Sequence, residues 1–506
     1  MIRASIFERG CSLSCMVTFS IQQLMIDPLY FLERVLRRFS YSGQGLYSAL
    51  TELGLEIDQT EALRKSGCYR DYLSTIESSR VRRIARHFTA KDVKEELEEL
   101  TIGFTPSIRG SISQNPNMRI LHYLTNSKPY TKSGYTERTE SVLKAQSWAG
   151  LQPMAVTRLG YPAVIGKNQV ATGEQQEEIS VRHLIPAVFP WSRKRYRELA
   201  VRKLVQMIES EAIDVLHTTS SFKNALIVSE AAKISGIPWV YEVRGQLEST
   251  WLSKLPEPLQ SMARHSDKYR CSQAQEIRAM NAAGGVVLLS ETQRAALKAR
   301  GLRNENISVI PNALDEKIHL FETGSSWVRK SLGLEGKRVV GIVTSVVAYE
   351  GIETLIEAGA AANNRPVLLI VGDGDDLPRL KQLARQFGIE DRVIFPGRVG
   401  QEEILDWYAA MDIFVVPRID SEVTRLVTPL KSLKAQALGI PVIASDLPAL
   451  REVTGGHAQY FEAGNAQELT RLLENMPAVS REARRFAAGR SWKANGQKYK
   501  DLYSKL

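Results

Sequence analysis

The sequence predicts an α/β protein with two doubly wound domains behind a helical N-terminal extension, and three observations lead to this prediction. First, a chain of 506 residues is too long for a single hydrophobic core. Second, short apolar runs alternate with helical patterns from residue 118 onward, which indicates a parallel sheet covered by helices on both faces. Third, the alternation starts again near Lys337, which indicates a second sheet of the same kind.

Residues 1–117 lack strand-like apolar runs and are predicted to be a helical extension of unknown role. Amphipathic periodicity predicts three helices there, at Leu29–Phe39, Ala62–Ile76 and Lys91–Leu100. The stretch 105–117, rich in Ser, Pro, Gly and Asn, predicts a linker.

The remaining chain divides into a first domain at 118–322 and a second at 323–490, followed by a helical tail at 491–506. The first domain has predicted strands at 120–124, 155–157, 214–217, 239–243, 285–289 and 307–310. The second has them at 339–343, 367–371, 393–395, 413–416 and 441–444. Ligands of such sheets bind at the carboxyl ends of the strands, so the loops after these strands are the candidate site.

The composition narrows the choice of partners. A net charge of +10 favours anionic partners such as nucleic acid, anionic lipid or phosphorylated substrates. The sequence lacks zinc fingers and RNA-recognition motifs, which disfavours nucleic acid. Four cysteines do not form a disulfide framework, and Cys11 and Cys15 have no further ligands nearby, so we expect no metal site.

No run reaches the roughly 20 apolar residues that span a bilayer, so we expect a cytoplasmic protein. Basic residues cluster between Arg481 and Lys500. They form either a solvated helix face or a contact with the anionic inner face of the membrane.

Two loops carry candidate chemistry. Gly134 follows a predicted strand and opens a helix, where free amides and a partial positive charge suit a phosphate, although a purely geometric glycine is equally open. Farther along, Arg418, Arg425, Thr428 and Lys431 converge at another helix start, which suits a diphosphate. The alternative is that the two arginines pair with the neighbouring acids at 420 and 422.

The second loop lies within a longer pattern. The segments Val-Pro-Arg at 416–418, Thr-Arg-Leu-Val-Thr-Pro-Leu-Lys at 424–431 and Gly-Ile-Pro-Val-Ile-Ala-Ser-Asp at 439–446 resemble the donor site of family 4 glycosyltransferases. The resemblance is strongest to a bacterial subgroup with a Val-Thr-Pro-Leu-Lys-Pro-Leu-Glu-Ala-Met-Ala loop. Ser-Gly-Tyr-Thr at 133–136 and Tyr-Glu-Val-Arg-Gly at 241–245 match as well. The resemblance runs from about residue 118 to the C-terminus.

The resemblance implies a GT-B fold, in which two Rossmann-like domains face a cleft and the C-terminal helix 491–506 completes the first domain. It also implies a retaining transfer, without metal or cofactor, of a sugar from a nucleoside-diphosphate sugar. The subgroup suggests a carbohydrate or lipid-linked acceptor in cell-envelope or exopolysaccharide assembly.

By position, the resemblance also assigns residues. Gly134 and Ser345 fall at the donor, Arg398 at the nucleotide base, and Thr428, Pro429, Leu430 and Lys431 at the diphosphate beside Arg418 and Arg425. The candidate catalytic residues are His217, Glu242 and Arg244, although His217 also fits a satisfied histidine at a strand end.

The sequence departs from the family at two informative positions. Lys434 stands where the family has a glutamate that accepts hydrogen bonds from the ribose, and an ammonium group only donates. Thr219 replaces a second histidine. These departures leave open a GT-B-like binding or regulatory subunit with impaired catalysis. A sugar-nucleotide epimerase is a third reading, which the Thr-Pro-Leu-Lys loop disfavours.

Overall fold

The computed structural model describes residues 2–27, 59–78, 87–108, 117–167, 181–315, 318, 321, 327–400, 402–475, 477–478 and 480–506. Contacts divide the chain into two compact units. The first contains Met1–Leu288, Leu297–Ser308 and Gly496–Leu506, and the second contains Leu289–Ala296 and Val309–Asn495.

The described part of the N-terminal extension is helical and belongs to the first unit. Its helices are α1 Ile2–Ile26, α2 Gln59–Lys65, α3 Tyr69–Glu77 and α4 His87–Glu99. The prediction of one helix over Ala62–Ile76 was wrong, because Gly67 breaks it with a left-handed φ of 78°. The predicted helix Leu29–Phe39 lies outside the described residues.

Helix α4 attaches the extension to the first sheet domain through a charged cluster. Arg193 donates to carboxylates of α4, including Glu99 at 3.3 Å, and Arg197 reaches Glu99 at 3.0 Å. Lys223 lies 3.1 Å from Glu96. Burial alone would raise the pKa of Glu96, but the neighbouring cations, Lys223 foremost, hold it well below its usual range. Asp92, Glu96 and Glu99 of α4 are therefore engaged with the domain rather than with solvent.

The first unit contains a seven-stranded sheet with the order β3-β2-β1-β4-β5-β6-β7. The strands are β1 Arg119–Leu124, β2 Gln152–Thr157, β3 Val181–His183, β4 Val215–Thr219, β5 Trp239–Glu242, β6 Gly285–Leu288 and β7 Ile307–Val309. The pairings from β3 through β6 are parallel. The sequence did not predict β3, because three residues are too few to establish a pattern.

The helices of this unit separate successive strands. They are α5 Gly134–Trp148, α6 Arg193–Glu211, α7 Phe222–Ser235, α8 Leu247–Ser253, α9 Glu257–Arg264 and α10 Asp267–Ala282. Helix α11 Glu291–Ala299 follows β6 and is divided between the two units after Ala296. Strands β4, β5 and β6 are buried along their whole length, as expected for a sheet covered on both faces.

The second sheet has the order β10-β9-β8-β11-β12-β13, and its strand pairs are all parallel. Its strands are β8 Val339–Val343, β9 Val367–Val371, β10 Val393–Gly397, β11 Ile413–Val416, β12 Val442–Ser445 and β13 Gln459–Phe461. The helices are α12 Trp327–Ser331, α13 Ile352–Ala361, α14 Leu377–Gln386, α15 Ile404–Ala409, α16 Glu422–Leu426, α17 Leu430–Ala437, α18 Pro448–Thr454, α19 Ala466–Glu474 and α20 Arg481–Ala488. Helix α21 Trp492–Tyr503 begins in the second unit and belongs to the first from Gly496 onward.

Each sheet reverses its strand order at one central pair. The reversal lies between β1 and β4 in the first sheet and between β8 and β11 in the second. Chains leave these two strands in opposite directions, which opens a crevice at their carboxyl ends. In the second sheet, a ligand is therefore expected to bind at the loops after β8 and β11.

Candidate functional site

A buried ion-pair centre occupies the reversal point of the second sheet. Thr344 directly follows β8, Arg418 follows β11, and Lys431 lies in the first turn of α17. Arg418 and Lys431 donate hydrogen bonds to Glu350, which is buried in the turn before α13. Lys431 also donates to Thr344.

All three guanidinium nitrogens of Arg418 donate hydrogen bonds within the protein. Its Nη2 donates to Glu350 Oε1 at 2.9 Å, its Nε reaches the other carboxylate oxygen at 3.3 Å, and its Nη1 donates to the carbonyl of Val427 at 2.9 Å. The guanidinium thus fastens the loop before Thr428 to Glu350. This pairing differs from the alternative suggested by the sequence, in which Arg418 binds the acids at 420 and 422.

Lys431 is the second cation of the centre, and its ammonium group is held by two acceptors. Its Nζ donates to Glu350 and, at 2.6 Å, to Thr344 Oγ1. Burial lowers the pKa of Lys431 to about 8, although Glu350 acts to raise it. Burial would raise the pKa of Glu350, but Lys431 and Arg418 lower it to about 2. Two cations and one carboxylate leave the centre with a net charge of +1 at neutral pH.

The loop that leads to Lys431 is fixed by local hydrogen bonds. Ser421 and Thr424 form a capping box at the start of α16, and Thr424 Oγ1 donates to the carbonyl of Ile419 at 2.6 Å. Pro429 then caps α17 with extended backbone. The first amides of α17 have no acceptor within the helix, so they add to the positive potential beside Lys431.

Two glycines allow the loops of this centre to approach each other. A Cβ on Gly351 would lie 1.9 Å from the carbonyl oxygen of Pro417, and one on Gly372 would lie 1.7 Å from that of Thr344. Both glycines have positive φ angles, 66° and 140°. They are needed for close packing of the loops after β8, β9 and β11.

The other predicted donor residues of this unit lie around the centre but not in it. Arg425 is exposed and pairs with Asp420, with Nη2 2.6 Å from Oδ2, so the alternative pairing holds for this arginine. Ser345 is exposed after β8, and Arg398 is exposed after β10. Lys434 is half-buried on α17, one turn beyond Lys431 and on the same side of the helix.

In the first unit, Gly134 begins α5 directly after the N-cap Ser133, whose side chain accepts from the amide of Thr136. Gly134 is exposed, and a Cβ added to it would meet nothing within 4 Å. Neither packing nor a left-handed backbone therefore requires glycine at this position.

The three predicted catalytic residues lie together in a buried polar cluster of the first unit. His217 is fully buried, with Nδ1 2.7 Å from Tyr503 Oη and Nε2 3.1 Å from Glu242 Oε2. Burial lowers the pKa of His217, so the ring is neutral near pH 7. Both ring nitrogens have partners, as expected for a histidine that stabilises the fold.

Glu242 joins this cluster to two arginines. Its Oε1 accepts from Arg138 Nε at 2.7 Å and from Arg244 Nε at 2.8 Å. Burial would raise the pKa of Glu242, but Arg244 and Arg138 hold it well below its usual range. Arg244 also donates to Thr139 Oγ1 at 2.6 Å, while its Nη2 has no hydrogen-bond partner among the described residues.

Helix α21 contributes the remaining members of the cluster. Tyr499 Oη donates to Glu242 Oε2 at 3.0 Å, and Tyr503 Oη accepts from Gln146 Nε2 at 2.8 Å. Thr219, the position of the missing second histidine, is buried and hydrogen-bonds to Tyr135 of α5.

Sequence reasoning missed three residues that the site uses. Thr344 binds the Lys431 ammonium, and its position directly after a predicted strand was the available signal. Arg138 and Gln146 lie inside the helix that follows Gly134, and nothing in their spacing indicates that they face a carboxylate and a tyrosine.

Comparison with known proteins gives two family models in order along the chain. Residues 133–313 match the Glycosyl transferase 4-like domain, and residues 337–477 match Glycosyl transferases group 1. The 2-deoxystreptamine glucosyltransferase of Streptomyces kanamyceticus is 26% identical, over 52% of this chain and 68% of that protein. The alpha-monoglucosyldiacylglycerol synthase of Streptococcus pneumoniae is 26% identical, over 53% of this chain and 60% of that protein.

Among solved structures, Anabaena Alr3699/HepE in complex with UDP superposes with a TM-score of 0.60. The likeness covers 77% of this chain and all of that chain at 20% identity. The two parallel sheets and this likeness establish the predicted fold class, GT-B with two Rossmann-like domains. Among the described helices, none is long and apolar enough to cross a membrane.

Proposed function

From a glycosyltransferase 4-like domain followed by a group 1 glycosyltransferase domain, we propose that this chain transfers a sugar from a nucleoside-diphosphate sugar to a carbohydrate or lipid-linked acceptor. The acceptor class follows the likeness to envelope-related relatives. The single observation that carries the proposal is Lys431, a buried ammonium held at the start of α17 in the crevice of the second sheet.

The charge of this centre suits the leaving group of a sugar transfer. When the bond from the anomeric carbon to the diphosphate breaks, its electron pair stays on the diphosphate and negative charge grows there. The acceptor oxygen bonds to the anomeric carbon with retention of configuration, and its proton passes to the departing diphosphate. Lys431 and the amides of α17 stabilise the growing charge in place of a divalent metal. Arg418 acts as a positioning residue, because its donors hold Glu350 and the Val427 carbonyl.

Other residues have proposed roles around the donor. The exposed backbone at Gly134 binds donor phosphate, Arg398 contacts the base, and Ser345 and Arg425 line the approach. Thr428, Pro429 and Leu430 shape the diphosphate loop. Of the catalytic candidates, Arg244 retains an unpartnered donor among the described residues, whereas His217 and Glu242 hold it in place.

A transfer assay with a panel of nucleoside-diphosphate sugars tests this function. We expect one donor to support transfer in the presence of EDTA, and Lys431→Ala to lower kcat/KM by about 10²- to 10³-fold. Lys337→Ala removes an exposed lysine of the same unit and is the matched control. Absence of transfer and of nucleotide binding with every donor would overturn the proposal.

A second candidate function, a binding or regulatory subunit, is favoured by Lys434. An ammonium there cannot accept the ribose hydroxyls. Loss of one hydrogen bond to a charged group is worth about 1.5–3 kcal/mol, which is about 10- to 100-fold in affinity. Lys434→Glu tightens donor binding if this lysine is a lost ribose contact. If the substitution abolishes transfer instead, Lys434 has its own role with the donor.

We place this activity in the cytoplasm, at the inner face of the membrane. The basic segment after Arg481 supports a peripheral contact with anionic lipid, because Arg481 and Arg485 on α20 are exposed.

A further inference from the structure

Helix α1 of the N-terminal extension is apolar on two opposite faces. Residues 10–26 contain no charged side chain. One face packs on the first domain: Cys15 is buried, and Phe19 packs with Tyr130, Tyr161 and Val164. The amide of Phe189 also donates to Thr18 Oγ1 at 2.9 Å, which fixes the rotation of the helix.

The opposite face of α1 is exposed. Leu13, Val17 and Ile21 are 52%, 47% and 45% exposed, and Leu24 and Met25 continue the stripe toward the end of the helix. These positions recur at intervals of three and four residues, so they form one face. An apolar face of this length is costly in water and marks a surface that binds another apolar phase.

Exposed apolar side chains flank this stripe. Phe88 is exposed next to Thr89, whose hydroxyl donates to the carbonyl of Ile26 at 2.6 Å. Val188 and Trp191 are exposed on the loop whose Phe189 packs edge-to-face against Phe19. Tryptophan is enriched at membrane–water interfaces, where its ring bridges the apolar and hydrated layers.

The charges beside the stripe are complementary to anionic lipid. Lys91 and Lys94 on α4 and Lys194 and Arg195 at the start of α6 are exposed. Asp92, Glu96 and Glu99 of α4 are paired with cations of the first domain. Of the remaining acids, Glu98 and Glu198 are exposed. The four exposed cations therefore outnumber the exposed acids beside an uncharged apolar face.

We propose that the exposed face of α1, with Val188 and Trp191, is a membrane-docking surface that lies in the interface of an anionic bilayer. Its apolar side chains enter the acyl boundary while the flanking lysines and arginine bind lipid phosphate. The surface lies outside both matched family domains apart from the loop 188–195, and the proposal does not depend on the transfer reaction.

Co-sedimentation of the full chain with vesicles tests this surface. The chain should bind vesicles of phosphatidylcholine with phosphatidylglycerol more tightly than vesicles of phosphatidylcholine alone. A triple variant, Leu13→Glu, Val17→Glu and Ile21→Glu, should lower partitioning at least about a hundredfold, since each apolar side chain withdrawn from the bilayer is worth about tenfold. Changing Lys91 and Lys194 to Gln should lower partitioning onto the anionic vesicles about fivefold for each charge removed, and should leave partitioning onto the neutral vesicles unchanged.

A control variant adds two negative charges at exposed apolar positions elsewhere. Ile234→Glu with Phe387→Glu, at sites 58% and 44% exposed, should bind vesicles nearly as wild type does. Unchanged thermal midpoints and nucleotide affinity establish that each variant is folded. A failure of the membrane-docking proposal can then be told apart from a failure of the proposed transferase function. The proposal is overturned if the triple variant binds vesicles as wild type does. It is equally overturned if only Arg481→Gln with Arg485→Gln abolishes binding, or if light scattering finds a dimer that the triple variant dissociates in place of vesicle binding.

Discussion

Replacement of Glu350 by glutamine removes the carboxylate that holds both cations of the second-unit centre. The side chains of Glu350, Arg418 and Lys431 are all largely buried. Removing one partner of a buried ion pair costs about 3–5 kcal/mol, because the remaining charge is left without compensation. The lower end applies here, since Lys431 can lose its proton and the glutamine oxygen still accepts one hydrogen bond. We expect Glu350→Gln to lower the free energy of unfolding by about 3 kcal/mol.

The lowered pKa of Glu350 gives a similar free energy and predicts how the stability depends on pH. Lowering the pKa of Glu350 from 4.5 to about 2 corresponds to about 3 kcal/mol of favourable interaction for the carboxylate. Burial of Lys431 offsets much of that gain, so the intact centre stabilises the fold by far less than its loss costs. Because the folded pKa of Glu350 is depressed, its contribution is present above pH 4.5 and is lost as pH falls from 4.5 through 2.

Urea denaturation and thermal unfolding measure the effect. A loss of about 3 kcal/mol lowers the thermal midpoint of a unit this size by about 6–12 °C. Asp420→Asn is the matched control, because it breaks the exposed pair with Arg425, which water screens, and should leave both midpoints nearly unchanged. If Glu350→Gln unfolds at the same urea concentration as Asp420→Asn, the buried centre does not hold the loop as described.

Three further predictions address the two units. Affinity for a nucleoside diphosphate should fall as pH rises through about 8, because the neutral amine of Lys431 attracts the diphosphate less. In calorimetric titrations of Lys431→Arg this fall should lie at higher pH. Gly134→Ala should leave the thermal midpoint unchanged, since its Cβ meets nothing, yet weaken binding of the nucleoside-diphosphate sugar about tenfold; a normal affinity would remove Gly134 from the phosphate site. Tyr503→Phe should cost about 1–3 kcal/mol of unfolding free energy by urea titration, because His217 and Gln146 lose their shared partner; an unchanged midpoint would argue that the cluster is not stabilising.

Much of the architecture could be predicted from local pattern. The central strands of both sheets have apolar runs buried on both faces, such as Val367–Val371, and such runs are visible without tertiary information. The short edge strands Val181–His183 and Gln459–Phe461 were missed, because their polar residues, Arg182, His183 and Gln459, interrupt any apolar run.

The candidate site was predictable in its residue types but not in its pairings. The sequence identified Lys431 and Arg418 as cations at a helix start. It did not indicate that Glu350, some 68 residues from Arg418 along the chain, neutralises both. Long-range pairing is set by the loops that meet at the sheet reversal, and their geometry depends on close contacts such as that of Gly351 with Pro417.

A calorimetric titration of nucleoside diphosphates into wild-type and Lys431→Ala protein tests the central claim most directly. The account predicts that at least one nucleoside diphosphate binds the wild type, and that the variant binds it about 10- to 100-fold more weakly while remaining folded. Equal affinity of the two proteins would contradict the account, as would the absence of binding to wild type by every nucleotide tested.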